Sequence, residues 1–176
     1  MTTATAPLDL DAVNAMDREA FVATLGAAFE HSPWVAEDAW AARPFASVEA
    51  LHAAMLDTVR RAPQATQIAF LCAHPELAGR EAQANALTTD SQREQASAGL
   101  DAMTKVEMAE MTRLNEVYRR RHGFPCIIAV RRHGKAQIFE EMRRRTEQDT
   151  TSEFVVAMEQ IACITGLRVK ALVPVR

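Results

Sequence analysis

The chain has 176 residues, of which 48% are hydrophobic, 24% charged and 6% aromatic. That length suits one compact domain with its own core and falls short of two well-formed ones. With 6 glycines and 7 prolines it is neither collagen-like nor low-complexity, and a net charge of −3 lacks the basic excess of a general nucleic-acid binder. Lys105, Lys135 and Lys170 are the three lysines, scattered along the chain, which gives little support to Schiff-base chemistry. Cys72, Cys126 and Cys163 are odd in number and far apart, a spacing that fits reduced thiols in a reducing compartment and not a disulfide framework or paired zinc ligands.

Met1-Thr2-Thr3-Ala4-Thr5-Ala6-Pro7 has no basic start and no apolar core, so no secretory leader is expected. No stretch reaches the ~18 apolar residues of a membrane span. The terminal Leu172-Val173-Pro174-Val175-Arg176 is not a peroxisomal address. The expectation is a soluble, cytoplasmic protein.

Helical spacing dominates the chain from there on. Phe21, Leu25 and Ala28 form one apolar stripe, and Val48, Leu51, Met55 and Val59 a second that opens at Ser47. Pro33, Pro44, Pro63 and Pro75 divide the first half into short helices. Thr104 with Glu107 makes a capping box for a helix carrying Met111, Leu114, Val117 and Tyr118, stopped at Gly123-Phe124-Pro125. Cys126-Ile127-Ile128-Ala129-Val130 is strand-like but alone, and reads as a buried extended or helix-starting segment. Ser152 opens a last helix along Phe154, Met158, Ile161 and Thr165, with Gly166 as its stop. The stripes are core, and the fold class is all-α, one multi-helix domain over residues 1–176.

Five histidines offer proton chemistry, but no His-x-His or His-Glu-x-x-His pair suggests a metal. His31, His52, His122 and His133 read as surface or capping residues. His74 follows the apolar run Ile68-Ala69-Phe70-Leu71-Cys72-Ala73 and precedes Pro75, so it lies where a helix breaks off. An imidazole on such a rigid break can move a proton near neutral pH, or simply meet the last helix carbonyls. Ser91-x-x-Glu94 matches a capping box, which accounts for both residues by itself. A helix start equally presents N–H groups to a carboxylate or urea oxygen, and a glutamate beside a histidine orients it. The runs Arg119-Arg120-Arg121 and Arg143-Arg144-Arg145 read as solvated faces. Arg131 and Arg168 each follow an apolar stretch and are either exposed or inward-facing anion clamps.

Taken in order, several segments resemble one family, the 2-oxo-4-hydroxy-4-carboxy-5-ureidoimidazoline (OHCU) decarboxylases of urate degradation. They are Phe29-Glu30-His31-Ser32-Pro33-Trp34, Arg43-Pro44-Phe45, His74-Pro75-Glu76-Leu77-Ala78-Gly79 and Leu87-Thr88. Ser91-Gln92-Arg93-Glu94-Gln95-Ala96-Ser97-Ala98-Gly99-Leu100, Leu114-Asn115-Glu116-Val117-Tyr118 and Gly123-Phe124-Pro125 running on to Arg131 complete the set. The order holds from about residue 17 to residue 173. The resemblance implies an all-helical, dimeric, cofactor-free enzyme acting on a small anionic ureidoimidazoline, with no nucleic acid or membrane partner. It places the catalytic histidine on His74 and the catalytic glutamate on Glu94. It places substrate contacts on Pro75, on Ser91, Gln92, Arg93, Glu94 and Gln95, on Cys126, Ile127, Ile128, Ala129 and Val130, and on Arg168. The chain departs from the family pattern at Cys126 and His122, where many members carry an aromatic, and at Val169, where leucine is usual. The other readings are a non-catalytic helical interaction module and a hydrolase of a related ureido compound.

Overall fold

The computed structural model describes residues 8–174, so the leader reading at residues 1–7 and the last two residues fall outside what is described. Among the described residues every regular element is a helix and none is a strand. The chain falls into two compact units, Met1–Gln67 with Ile164–Arg176, and Ile68–Cys163. The unit boundaries lie inside the helices α5 (Gln64–Cys72) and α10 (Thr150–Leu172).

The first unit begins with α1 (Leu10–Ala15), α2 (Arg18–Leu25), α3 (Trp34–Ala39) and α4 (Val48–Arg61). Asp9, Asp17 and Ser47 cap the amide groups that open α1, α2 and α4. The expected stripes are its core: Phe21, Leu25, Ala28, Leu51, Met55 and Val59 are wholly buried, and α3 packs against both α2 and α4. The Arg43-Pro44-Phe45 segment is a structural corner. Arg43 donates to the carbonyls of Asn14 and Met16 at 2.9 and 2.6 Å and lies over the Trp40 ring, while Asn14 and Phe45 exchange two hydrogen bonds. Gly166 does not end a helix as the sequence suggests. It lies within α10, where an added Cβ would come within 3.1 Å of the His52 ring, so the close approach and not a turn requires glycine.

The second unit holds α6 (Arg80–Gln83), α7 (Thr89–Ser97), α8 (Lys105–His122) and α9 (Lys135–Thr146). The Thr104–Glu107 capping box is present, and Gly123 closes α8 in the left-handed region at φ 83°. Residues 125–129 are buried and lie outside regular secondary structure, leading into a short 3-10 turn, Val130–Arg132. α7 packs on that turn, and α8 packs on α9. The last helix opens at Thr150, two residues before Ser152, because Asp149 accepts from the Ser152 amide at 2.9 Å and its hydroxyl at 2.6 Å. His122 is no surface residue. Its ring lies 4.5 Å from Tyr118 and stacks on Phe124, filling an aromatic slot, with Nδ1 3.0 Å from Thr150 Oγ1.

Candidate active site

The helix that carries the apolar run ends at Cys72, and His74 is held in the turn beyond it. The His74 amide donates to the Leu71 carbonyl at 3.1 Å, and Nδ1 lies 3.3 Å from the Phe70 carbonyl. A carbonyl only accepts, so Nδ1 carries the hydrogen and the lone pair of the neutral ring resides on Nε2. The ring meets the Phe70 ring edge-on at 5.3 Å, and the side chain is buried. Pro75 follows at the half-buried rim of the turn.

α7 starts earlier than the Ser91–Glu94 box suggests. Thr88 is its N-cap, with Oγ1 accepting from the Ser91 amide at 3.3 Å. Ser91 is therefore the third residue of the helix and not its cap. Ser91 and Glu94 are inside the helix and buried, on one face with Gln95, as the i, i+3, i+4 spacing requires. Gln92 and Arg93 project from the exposed side of α7. Gln92 and Gln95 line a hollow of about 310 Å³ with Ala78, Leu87 and Asp101, and neither His74 nor Glu94 borders it.

Gln95 ties α7 to the His74 turn. Its Oε1 accepts from the Ala78 amide at 2.8 Å, and its Nε2 donates to the Glu76 carbonyl at 3.4 Å. Ala78 is in the left-handed region at φ 47°, an unusual conformation for a residue with a Cβ, so its amide needs a fixed partner to hold that shape. From α8, Asn115 donates to the Leu77 carbonyl at 2.9 Å and Arg119 pairs with Glu76 at 2.7 Å. The segment from His74 to Gly79 is thus pinned by α7 on one side and α8 on the other.

Cys126 to Val130 are all buried. Arg145 donates to the Ile127 carbonyl at 2.6 Å, and Gln160 accepts from the Ala129 amide at 2.9 Å. Burial pushes the Cys126 thiol up to about 12, and pushes the Tyr118 phenol up as well. Arg145 is no solvated residue: it is 1% exposed and pairs with Glu153 at 2.9 Å. The sequence did carry a signal for it, since Arg145 falls seven residues after Ile138 and three after Met142, on the buried face of α9.

In the first unit, Arg168 is buried and donates to Glu30 Oε2 at 2.7 Å. Glu30 is itself buried and strained, at φ 47°. Arg131 is exposed, which removes the inward clamp as its reading. Among the described residues no group of three or more His, Cys, Asp or Glu could hold a metal ion.

The family model for OHCU decarboxylase matches residues 14–170. The chain belongs to the OHCU decarboxylase family. Within that family, the chain is 40% identical over 161 residues to a 2-oxo-4-hydroxy-4-carboxy-5-ureidoimidazoline decarboxylase of Haloferax volcanii, covering 92% of this chain and 94% of the relative. It is 38% identical to the enzyme of the same name from Halalkalicoccus jeotgali, covering 94% and 92% of the two chains. A crystal structure of (S)-allantoin synthase superposes with a TM-score of 0.74 at 26% identity, covering 95% of this chain, which spans 54% of that longer chain. His122 and Cys126 both lie against Tyr118.

Proposed function

We propose that the protein decarboxylates 2-oxo-4-hydroxy-4-carboxy-5-ureidoimidazoline to (S)-allantoin, with His74 and Glu94 as the catalytic pair. The observation that carries this reading is the tether through Gln95. It ties the turn that carries the buried His74 imidazole, with Nδ1–H committed to a carbonyl, to the helix that carries the buried Glu94 carboxyl. The family relatives named for this reaction support it.

The substrate brings its own electron sink. Its carboxylate sits on a carbon next to a ring C=N, so the electron pair of the breaking C–C bond flows into the imine as CO2 departs. The imine nitrogen takes up a proton, and the resulting enamine then loses the proton of its 4-hydroxyl and gains one at the ureido-bearing carbon. His74 Nε2 handles one of these protons, and Glu94 favours and orients the charged imidazolium during the transfer. Delivery from one side of a fixed ring gives a single enantiomer. Positioned acid–base help of this kind is worth roughly 10²–10⁴-fold in rate.

Ser91 and Gln95 share the buried face of α7 with Glu94 and contact the substrate there, as do Pro75 and the segment Cys126 to Val130. Gln92 and Arg93 act from the exposed side of the same helix, at the approach to it. Arg168 supplies a guanidinium already oriented by Glu30, with its fork of N–H donors suited to a carboxylate or ureido oxygen. The protein works as a cytoplasmic homodimer, which sedimentation and fractionation would test.

The decisive experiment supplies the wild-type protein with freshly made urate-oxidation product and follows CO2 and optical rotation together. Prompt CO2 with a single rotatory product supports the reading. Ammonia as the first product would point to a hydrolase, and no turnover would leave a helical interaction module.

A further inference from the structure

The buried segment 125–129 is gripped twice, at the Ile127 carbonyl by Arg145 and at the Ala129 amide by Gln160. A trans peptide holds its C=O and N–H antiparallel, and among the described residues only the Arg43–Pro44 bond is cis. The Ile127 carbonyl aimed at Arg145 therefore turns the Ile128 N–H away from it. The Ala129 N–H aimed at Gln160 likewise turns the Ile128 carbonyl away from Gln160. Ile128 is 3% exposed, yet neither its N–H nor its carbonyl pairs with another described residue. Buried peptide groups are seldom left unpaired, so this donor and acceptor point to a partner outside the chain.

The guanidinium that sets this geometry is itself fixed. Arg145 Nε and the Tyr118 hydroxyl both donate to Glu153 Oε2, at 2.9 and 2.5 Å, and Arg145 Nη2 lies 3.4 Å from the same hydroxyl. A buried ion pair is a poor device for stability, since apolar residues of like volume usually serve as well. What it offers here is one orientation of the Ile127 carbonyl.

We infer that Arg145 and Gln160 are positioning residues that aim the Ile128 N–H and C=O, as neighbouring donor and acceptor, at the ureido or ring amide of the substrate. A ureide carries an N–H and a C=O side by side, the complement of that pair. The inference rests on the decarboxylase reading above and assigns that reaction a recognition element. Neither residue need touch the substrate.

Gln160→Met keeps the volume and removes the acceptor, Gln160→Glu restores it, and Tyr118→Phe loosens Arg145 without removing its charge. A lost ground-state contact raises KM and spares kcat, so Gln160→Met is expected to raise KM about tenfold with kcat within about threefold. Gln160→Glu should stay within about twofold of wild type, and Tyr118→Phe should fall between. Exchange of the Ala129 amide, read by NMR, should accelerate in Gln160→Met while the melting curve holds. Unchanged KM in Gln160→Met, or an equal loss in Gln160→Glu, would overturn the inference. Wild-type protein that releases no CO2 would sink the decarboxylase reading instead. The grip on the segment would then stand or fall on the Ala129 exchange alone.

Discussion

The amide of Ala78 donates to Gln95 Oε1 at 2.8 Å, joining two stretches of chain 17 residues apart. The Ala78 end is held at φ 47°, and the Gln95 end neighbours Glu94. Gln95→Leu removes the acceptor while keeping the bulk. It leaves a buried N–H unpaired, at a cost of about 1–3 kcal/mol in urea denaturation. It also frees the His74 turn from α7, so kcat/KM should fall by at least about tenfold.

Gly79 tests the same turn from the inside. A Cβ there would lie 2.6 Å from the Glu76 Cβ and 3.3 Å from its carbonyl, and the Glu76 backbone is tied to Gln95. Gly79→Ala should therefore destabilise by about 1–3 kcal/mol, as overpacking does, and depress CO2 release beyond what the thermal shift explains. Gly134→Ala, where an added Cβ would meet nothing nearer than Gln137 Oε1 at 3.8 Å, serves as the control and should be neutral.

The Glu30–Arg168 pair is buried on both sides and spans 138 residues of sequence. Removing one member of such a pair strands the other charge, and Glu30→Gln is expected to cost about 3–5 kcal/mol. Arg168→Lys keeps the charge but loses the planar fork, so it should retain most stability and lose substrate affinity. Urea melts and KM values separate the two effects.

Acid stability follows from Glu107, Glu110 and His52. Arg113 and then Arg143 hold the Glu110 carboxyl down at about 2, and Lys135 with the Thr104 backbone holds Glu107 at about 2. Both sit below their unfolded value of 4.5, so their contribution is present above pH 4.5 and is lost as pH falls from there toward 2. Burial, with Lys170 and Arg60 nearby, lowers His52 below 6.5, so the unfolded chain takes up that proton first. Stability should begin to decline below pH 6.5 and fall more steeply below 4.5, and His52→Gln should abolish the first decline only.

Iodoacetamide should distinguish the thiols at neutral pH. Cys72 is exposed and should be alkylated in the native protein. Cys126 is buried with its thiol pushed up to about 12, and should react only after unfolding. Mass spectrometry of the labelled peptides reads this directly.

Much of the fold was legible because apolar spacing and caps agree along the chain. The stripe from Val48 to Val59 opens at Ser47, and Gly123 ends α8, as written in the sequence. The misreadings share one cause: local rules were outvoted by distant partners. Gly166 looks like a helix stop until His52 is placed against it, and His122 looks like a surface residue until Tyr118 and Phe124 enclose it. Arg145 hid inside a run of arginines although helical period sets it among Ile138 and Met142. In the candidate site, the helix break at His74 was visible from the proline that follows it, whereas the Ser91–Glu94 spacing read as a cap and the family resemblance alone singled out Glu94. Gln160, Glu153 and Asn115 were not visible, because each acts on a backbone group 31 or more residues away or through an arginine, and no local pattern encodes that.

The central claim concerns the imidazole of His74, and His74→Asn tests it most directly. Asparagine keeps a donor toward the Phe70 carbonyl and cannot shuttle a proton at neutral pH. With far-UV circular dichroism unchanged, the variant should release CO2 at least about 100-fold more slowly, and any allantoin that forms should be racemic. A folded variant that still yields a single enantiomer at near wild-type rate would contradict the account.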